Sequence, residues 1–131
     1  MNHLNKEEIT RHIHNLVESI KEENDIVGVI LYGSFLTREY SRDVDIAIAF
    51  KRNTQKERMF KKRIKLSGEF PDYLDIQIFN LLPLTLQKEV LKGKIMYMKE
   101  EMYEIAYQVL LEYEDFERFR DEYVKRYMLE H

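Results

Sequence analysis

At 131 residues, 44% hydrophobic, 34% charged and with a net charge of −3, the chain is expected to form a single folded domain over 1–131, and this composition excludes a disordered chain. It has no cysteine, which excludes disulfides, thiolate zinc sites and a cysteine nucleophile. No apolar run reaches the roughly 20 residues of a membrane-spanning helix, and the N-terminal residues carry no export signal, so a cytoplasmic protein without membrane contact is expected.

Ile9, Ile13, Leu16, Val17 and Ile20 recur at intervals of three and four, the pattern of an amphipathic helix, with Asn5 placed as its N-cap and Glu8 three residues on. The β-branched run Ile26-Val27-Gly28-Val29-Ile30-Leu31-Tyr32 reads as a buried strand that stops at Gly33-Ser34. Asp43-Val44-Asp45-Ile46-Ala47-Ile48-Ala49-Phe50 alternates strictly and predicts a second strand. Residues 54–69 predict a charged helix with Met59, Phe60, Ile64 and Leu66 as its apolar members, broken by Phe70-Pro71-Asp72. Tyr73-Leu74-Asp75-Ile76-Gln77-Ile78-Phe79 alternates again as a third strand. Pro83 opens and Gly93 closes a short helix, and Lys94-Ile95-Met96-Tyr97-Met98 reads as a short edge strand. Residues 100–128 are helical, with a break expected near Glu114-Asp115. The order predicts an α/β (α+β) fold, a small mixed sheet flanked by helices, with a core over 6–98 and C-terminal helices as an extension.

The second strand carries the chemistry. Alternation puts Asp43 and Asp45 on one face with Ala47 and Ala49, and two carboxylates so close repel each other or require a cation. The alanines leave room for a helix. Asp75 and Gln77 share a face of the third strand, so if the two strands are neighbours Asp75 joins the first two acids. Three carboxylates make a hard-oxygen site suited to Mg²⁺, which takes its remaining oxygens from water and phosphate. Two such ions can serve an in-line displacement. A strand ending in Gly33-Ser34 offers backbone N–H groups and a hydroxyl to an anion.

Tyr32-Gly33-Ser34, then Asp43-Val44-Asp45, then Leu74-Asp75-Ile76 resemble the polymerase β nucleotidyltransferase superfamily in its minimal, stand-alone branch, the MNT antitoxins paired with HEPN toxins. The stretches 76–84, 89–97 and 113–116 extend that likeness over most of the chain. The resemblance implies a polymerase β-like fold in which Asp43, Asp45 and Asp75 are catalytic and bind Mg²⁺, and Gly33 and Ser34 hold the triphosphate of ATP. It also implies a HEPN ribonuclease toxin as partner in a hetero-oligomer, silenced by AMP transfer to one of its tyrosines. Two alternatives accompany this reading: neutralisation of the toxin by binding alone, and nucleotidyl transfer to a small molecule such as an aminoglycoside. The chain departs from the family pattern between Ser34 and Asp43, where only eight residues intervene and none is glycine.

The remaining features read more plainly. His12 and His14 point in different directions on a helix and are taken as surface residues. Residues 51–65 hold eight Lys/Arg against one Glu. Within them, Arg58, Lys61, Lys62 and Lys65 have helix spacing, which suggests a solvated basic face rather than direct nucleic-acid binding. Tyr40 is taken as an exposed loop tyrosine. Met102, Ile105, Ala106, Val109, Leu110 and Tyr113 form a stripe expected in the core. Phe116, Phe119, Tyr123 and Tyr127 form a second stripe suited either to packing or to docking a partner. Leu129-Glu130-His131 reads like the start of a vector-derived tag.

Overall fold

A computed structural model describes residues 5–33 and 43–129 of the chain. Asn5 Oδ1 accepts the Glu7 N–H at 2.9 Å, so the first helix, α1 (Lys6–Ile20), begins with one of its free donors satisfied. The predicted apolar stripe of α1 is buried in full: Ile9, Ile13, Leu16, Val17 and Ile20.

Three strands fall where the sequence places them: β1 (Ile26–Tyr32) on the β-branched run, and β2 (Val44–Phe50) and β3 (Leu74–Ile78) on the alternating ones. A fourth, β4 (Lys94–Met98), completes a sheet of order β3-β2-β1-β4. β1 pairs antiparallel with both β2 and β4, whereas β2 and β3 run parallel, so the sheet is mixed as expected. The parallel pair is joined by the crossover helix α2 (Lys56–Glu69), the connection that parallel neighbours require. A register shift between Ile26 and Gly28 resets which face the β1 residues address. Ile26, Val29 and Leu31 therefore enter one core, and Val27, Ile30 and Tyr32 the other.

Both faces of the sheet are covered. The α1 stripe packs on Val44, Ile46, Ile48 and Phe50 together with Leu74, Ile76 and Ile78. On the opposite face, Ala47 and Ala49 lie under the helices α3 (Leu84–Leu91) and α4 (Glu101–Leu129), whose Val90, Met102, Ile105 and Val109 are buried there. The two alanines thus make the room that the sequence suggested. Asn80, in a single 3₁₀ turn (Phe79–Leu81), accepts the Phe50 N–H at 2.8 Å and donates to the Phe50 carbonyl at 2.9 Å. Its amide acts as a short piece of strand that ties the start of α3 to the end of β2. Gly93 is required by close approach, because a Cβ there would strike the Leu31 carbonyl oxygen of β1.

Two expectations about helices are corrected. The buried residues of α2 are Met59, Lys62 and Leu66, while Phe60 and Ile64 are exposed. Lys62 reaches inward because Glu23 is there, its Nζ lying 2.6 Å from Glu23 Oε2. Arg58 binds Glu23 at 2.6 Å and Asp25 at 2.8 Å. Half of the supposed basic stripe is therefore engaged in tying α2 to the turn before β1. Second, α4 runs unbroken through Glu114-Asp115. Neither residue is a helix breaker, and Asp115 pairs with Arg118 one turn on at 2.7 Å.

The first α4 stripe is only partly core, since Leu110 is exposed and Tyr113 half-buried. Met102 and Val109 are buried, whereas Phe116 and Tyr123, at the same seven-residue spacing, are exposed. Lys88 of α3, 3.6 Å from Glu117 and 3.9 Å from the Tyr113 ring centre, ties the middle of the helix to the body. Among the described residues no helix is long and apolar enough to cross a membrane.

Candidate active site

The chemistry-bearing residues meet at the end of β1 that lies beside Gly33. In the parallel pair Asp45 stands opposite Asp75, and in the antiparallel pair Tyr32 stands opposite Asp45. Residues in register share a face of the sheet, so Tyr32, Asp45 and Asp75 form a row across three strands. Asp43 lies immediately before β2 and is exposed. Asp45 and Asp75 are half-buried.

Gly33 closes the row from the other side. Its φ of +84° lies in the region that L side chains rarely adopt, and a Cβ built there would collide with the Asp45 carboxylate. Glycine is thus demanded twice, by the turn and by the acid beside it. Ser34 and Tyr40 lie outside the described residues.

The electrostatics of the row are one-sided. Burial, the charge of Asp75, a hydrogen bond with Asp75 and the charge of Asp43 all push the Asp45 carboxyl above its ordinary value. Burial, then Asp45 and Asp75, push the Tyr32 phenol up to about 12. Gln77, two residues along β3, donates from Nε2 to Asp75 Oδ1 at 2.8 Å.

Like charges held this way suit a hard cation that takes oxygen ligands. Among the described residues, no three acidic, histidine or cysteine side chains are gathered closely enough to enclose a metal ion. The structure thus brings Asp45 and Asp75 together as a pair, with Asp43 near enough to be felt by Asp45 electrostatically. Three carboxylates repel one another, and drawing all three to liganding distance requires a positive charge to offset that repulsion. His12 and His14 take no part: His12 lies edge-on to Tyr73, and His14 is 4.0 Å from Glu18 on the exposed side of α1.

Two members of the site were not given a role from the sequence. Tyr32 ends an apolar run and opens the Tyr32-Gly33-Ser34 stretch, but neither reading gives its side chain a place in the site. Gln77 was placed on the Asp75 face, but its hydrogen bond depends on a side-chain rotamer that alternation does not specify.

The fold and the site define a class: an α+β domain with a mixed sheet and an acidic row beside a glycine turn at one sheet end. The family model described as "Polymerase beta, Nucleotidyltransferase" matches residues 14–102, and the chain belongs to that family. A Methanocaldococcus jannaschii protein named as a candidate protein adenylyltransferase, MJ1547, is 32% identical over 80 residues, a segment that spans 59% of this chain and 59% of that relative. Among solved structures, a chain of the tri-AMPylated Shewanella oneidensis HEPN toxin in complex with MNT antitoxin superposes with a TM-score of 0.65 at 16% identity, covering 91% of this chain and 98% of that one. A chain of the toxin–antitoxin pair MntA–HepT superposes at 0.62 with 14% identity, over 91% and 98%. A chain of a toxin–antitoxin structure with AMP-PNP superposes at 0.63 with 18% identity, over 90% and 97%. At these identities the structural matches establish the fold.

Proposed function

We propose that this chain is a Mg²⁺-dependent nucleotidyltransferase of the cytoplasm that moves AMP from ATP to a tyrosine of a HEPN-domain toxin and so acts as its antitoxin. The observation that carries the reading is the in-register pair Asp45 and Asp75, set against the Gly33 turn. The match to a candidate protein adenylyltransferase supports the reaction, and the fold shared with toxin–antitoxin complexes supports the partner.

Asp43, Asp45 and Asp75 are the residues that would hold Mg²⁺, and the mutual repulsion of their carboxylates at Asp45 fits a divalent ion. When bound, the metal supplies positive charge that stabilises the polyphosphate during displacement. The backbone at Gly33, with Ser34 after it, takes the phosphates. In this reading Asp75 accepts the proton of the incoming tyrosine hydroxyl. In the overall reaction the tyrosine oxygen bonds to the α-phosphorus, the bond to the β-phosphate bridge breaks, and pyrophosphate leaves. The 131 residues act as one domain in this reading, and the outer half of α4 offers exposed Phe116, Phe119 and Tyr123 to the partner.

The test is intact-mass spectrometry of the toxin after incubation with this chain, ATP and Mg²⁺. Wild type is expected to add one or more AMP units and Asp45→Asn none. A toxin of unchanged mass, or equal addition by both proteins, overturns the reading. The exposed α4 stripe favours a second one, neutralisation by binding alone, in which inhibition survives loss of all three aspartates.

A further inference from the structure

We infer that Gln77 is a positioning residue that sets the direction in which Asp75 presents its carboxylate to the cation. The inference rests on the reading of Asp75 as a metal ligand and goes one residue beyond it.

Asp75 lies on β3, an edge strand of the sheet, with a neighbouring strand on one side only. Across that side stands Asp45, whose hydrogen bond with Asp75 depends on a proton shared between two like carboxyls. That bond is given up when a cation binds both, so it cannot hold Asp75 for the metal. The restraint comes from its own strand. Gln77 is two residues on and therefore on the same face, and its Nε2 donates to Asp75 Oδ1 at 2.8 Å. Asp75 Oδ1 is thereby engaged by a neutral donor that stays in place when a cation displaces the proton shared with Asp45.

The neighbourhood admits this arrangement. Gln77 stands opposite Ala47 in the parallel register, a side chain with no polar group to compete for the Gln77 amide. Gln77 is half-buried, so its amide meets less competition from water than a surface glutamine. A neutral amide donor also suits the position: it orients the carboxylate without cancelling the charge a divalent cation needs. Hydrogen bonds of this kind to metal-binding groups typically contribute about 10-fold or more in metal affinity.

The experiment measures Mn²⁺ binding by electron paramagnetic resonance, in the presence of a non-hydrolysable ATP analogue, for wild type, Gln77→Leu and Gln77→Asn. It also records the Mg²⁺ concentration that half-saturates AMP transfer. Gln77→Leu, which keeps bulk but cannot donate, is expected to weaken Mn²⁺ binding and raise the half-saturating Mg²⁺ about 10-fold. Gln77→Asn retains a donor and is expected to lose less. Excess Mg²⁺ is expected to restore the maximal rate of Gln77→Leu, with the KM for the acceptor unchanged.

Mn²⁺ affinity in Gln77→Leu equal to wild type overturns the inference and leaves the proposed function standing. A loss matched by a lowered Tm and a raised acceptor KM also overturns it, marking general damage to the fold. If wild type itself binds no Mn²⁺ with nucleotide, the metal reading of Asp75 fails first.

Discussion

Two groups of charged side chains lie at opposite ends of β1 and are built in opposite ways. Before the strand, Glu23 and Asp25 meet Arg58 and Lys62, acids against bases. After it, Asp45 meets Asp75 with Asp43 nearby, acid against acid. In the first group burial raises the Glu23 carboxyl, but hydrogen bonds from Lys62 and Arg58 outweigh it and leave the group below its ordinary value. Asp25 is lowered chiefly by its hydrogen bond to Arg58. In the second group every influence on Asp45 acts upward. The first cluster completes its own charge balance and fastens α2 to the sheet. In the second, the pair Asp45 and Asp75 is pushed together charge against like charge, an arrangement that a bound cation would relieve.

The sharpest way to break this comparison is Asp45→Asn. It is expected to lower AMP transfer about 1,000-fold in a single-turnover assay, the equivalent of several kcal/mol of transition-state stabilisation. Its Tm should stay level or rise, because a repulsive charge has been removed. A fall in Tm would mean that the acidic row is structural. The complementary change, Glu23→Ala, leaves the buried Lys62 without its carboxylate. It is expected to cost about 3 kcal/mol in urea denaturation while the remaining folded protein transfers AMP normally.

Gly33→Ala tests the join between turn and acid. With φ at +84° and Asp45 in the way of a Cβ, it is expected to lose about 1–2 kcal/mol of stability, and transfer should fall further than that loss explains. The smallest effect lies in the pH dependence of Tm, measured over roughly pH 3 to 7. The contributions of Asp25 and Glu23 are fully present above their ordinary values of 3.8 and 4.5, and are lost as pH falls through the lower folded values. Asp45 has the reverse sign: its raised carboxyl penalises the fold at neutral pH, and the penalty fades as pH falls toward 3.8. The Tm curves of wild type and Asp45→Asn should therefore converge on acidification. Curves that run parallel throughout would show that the raised value of Asp45 contributes nothing to stability.

Much of this was legible in the residues themselves. Strict alternation in 43–50 and 73–79 fixes which side chains share a face, and the three- and four-residue spacing in α1 fixes its buried stripe, because both periodicities are properties of the local backbone. Asp43 with Asp45 on one face, and the alanines that admit a helix, follow from that alone. In α2 residue type does not mark the buried face: Phe60 and Ile64 are exposed, while the half-buried Glu23 draws Lys62 inward. Hydropathy along one helix cannot see a carboxylate on another segment. No break occurs at the expected 114–115, because polar residues with helix-compatible pairing, such as Asp115 with Arg118, continue a helix.

What the sequence by itself determined is the set of elements, their faces and the residue types available for chemistry. Only the tertiary structure decided that β3 lies parallel to β2 with Asp75 opposite Asp45, that Tyr32 completes the row, and that Gln77 grips Asp75. Strand neighbours and register are set by how two cores close on both faces of the sheet at once. That is a condition on residues far apart in the chain, which no local period contains.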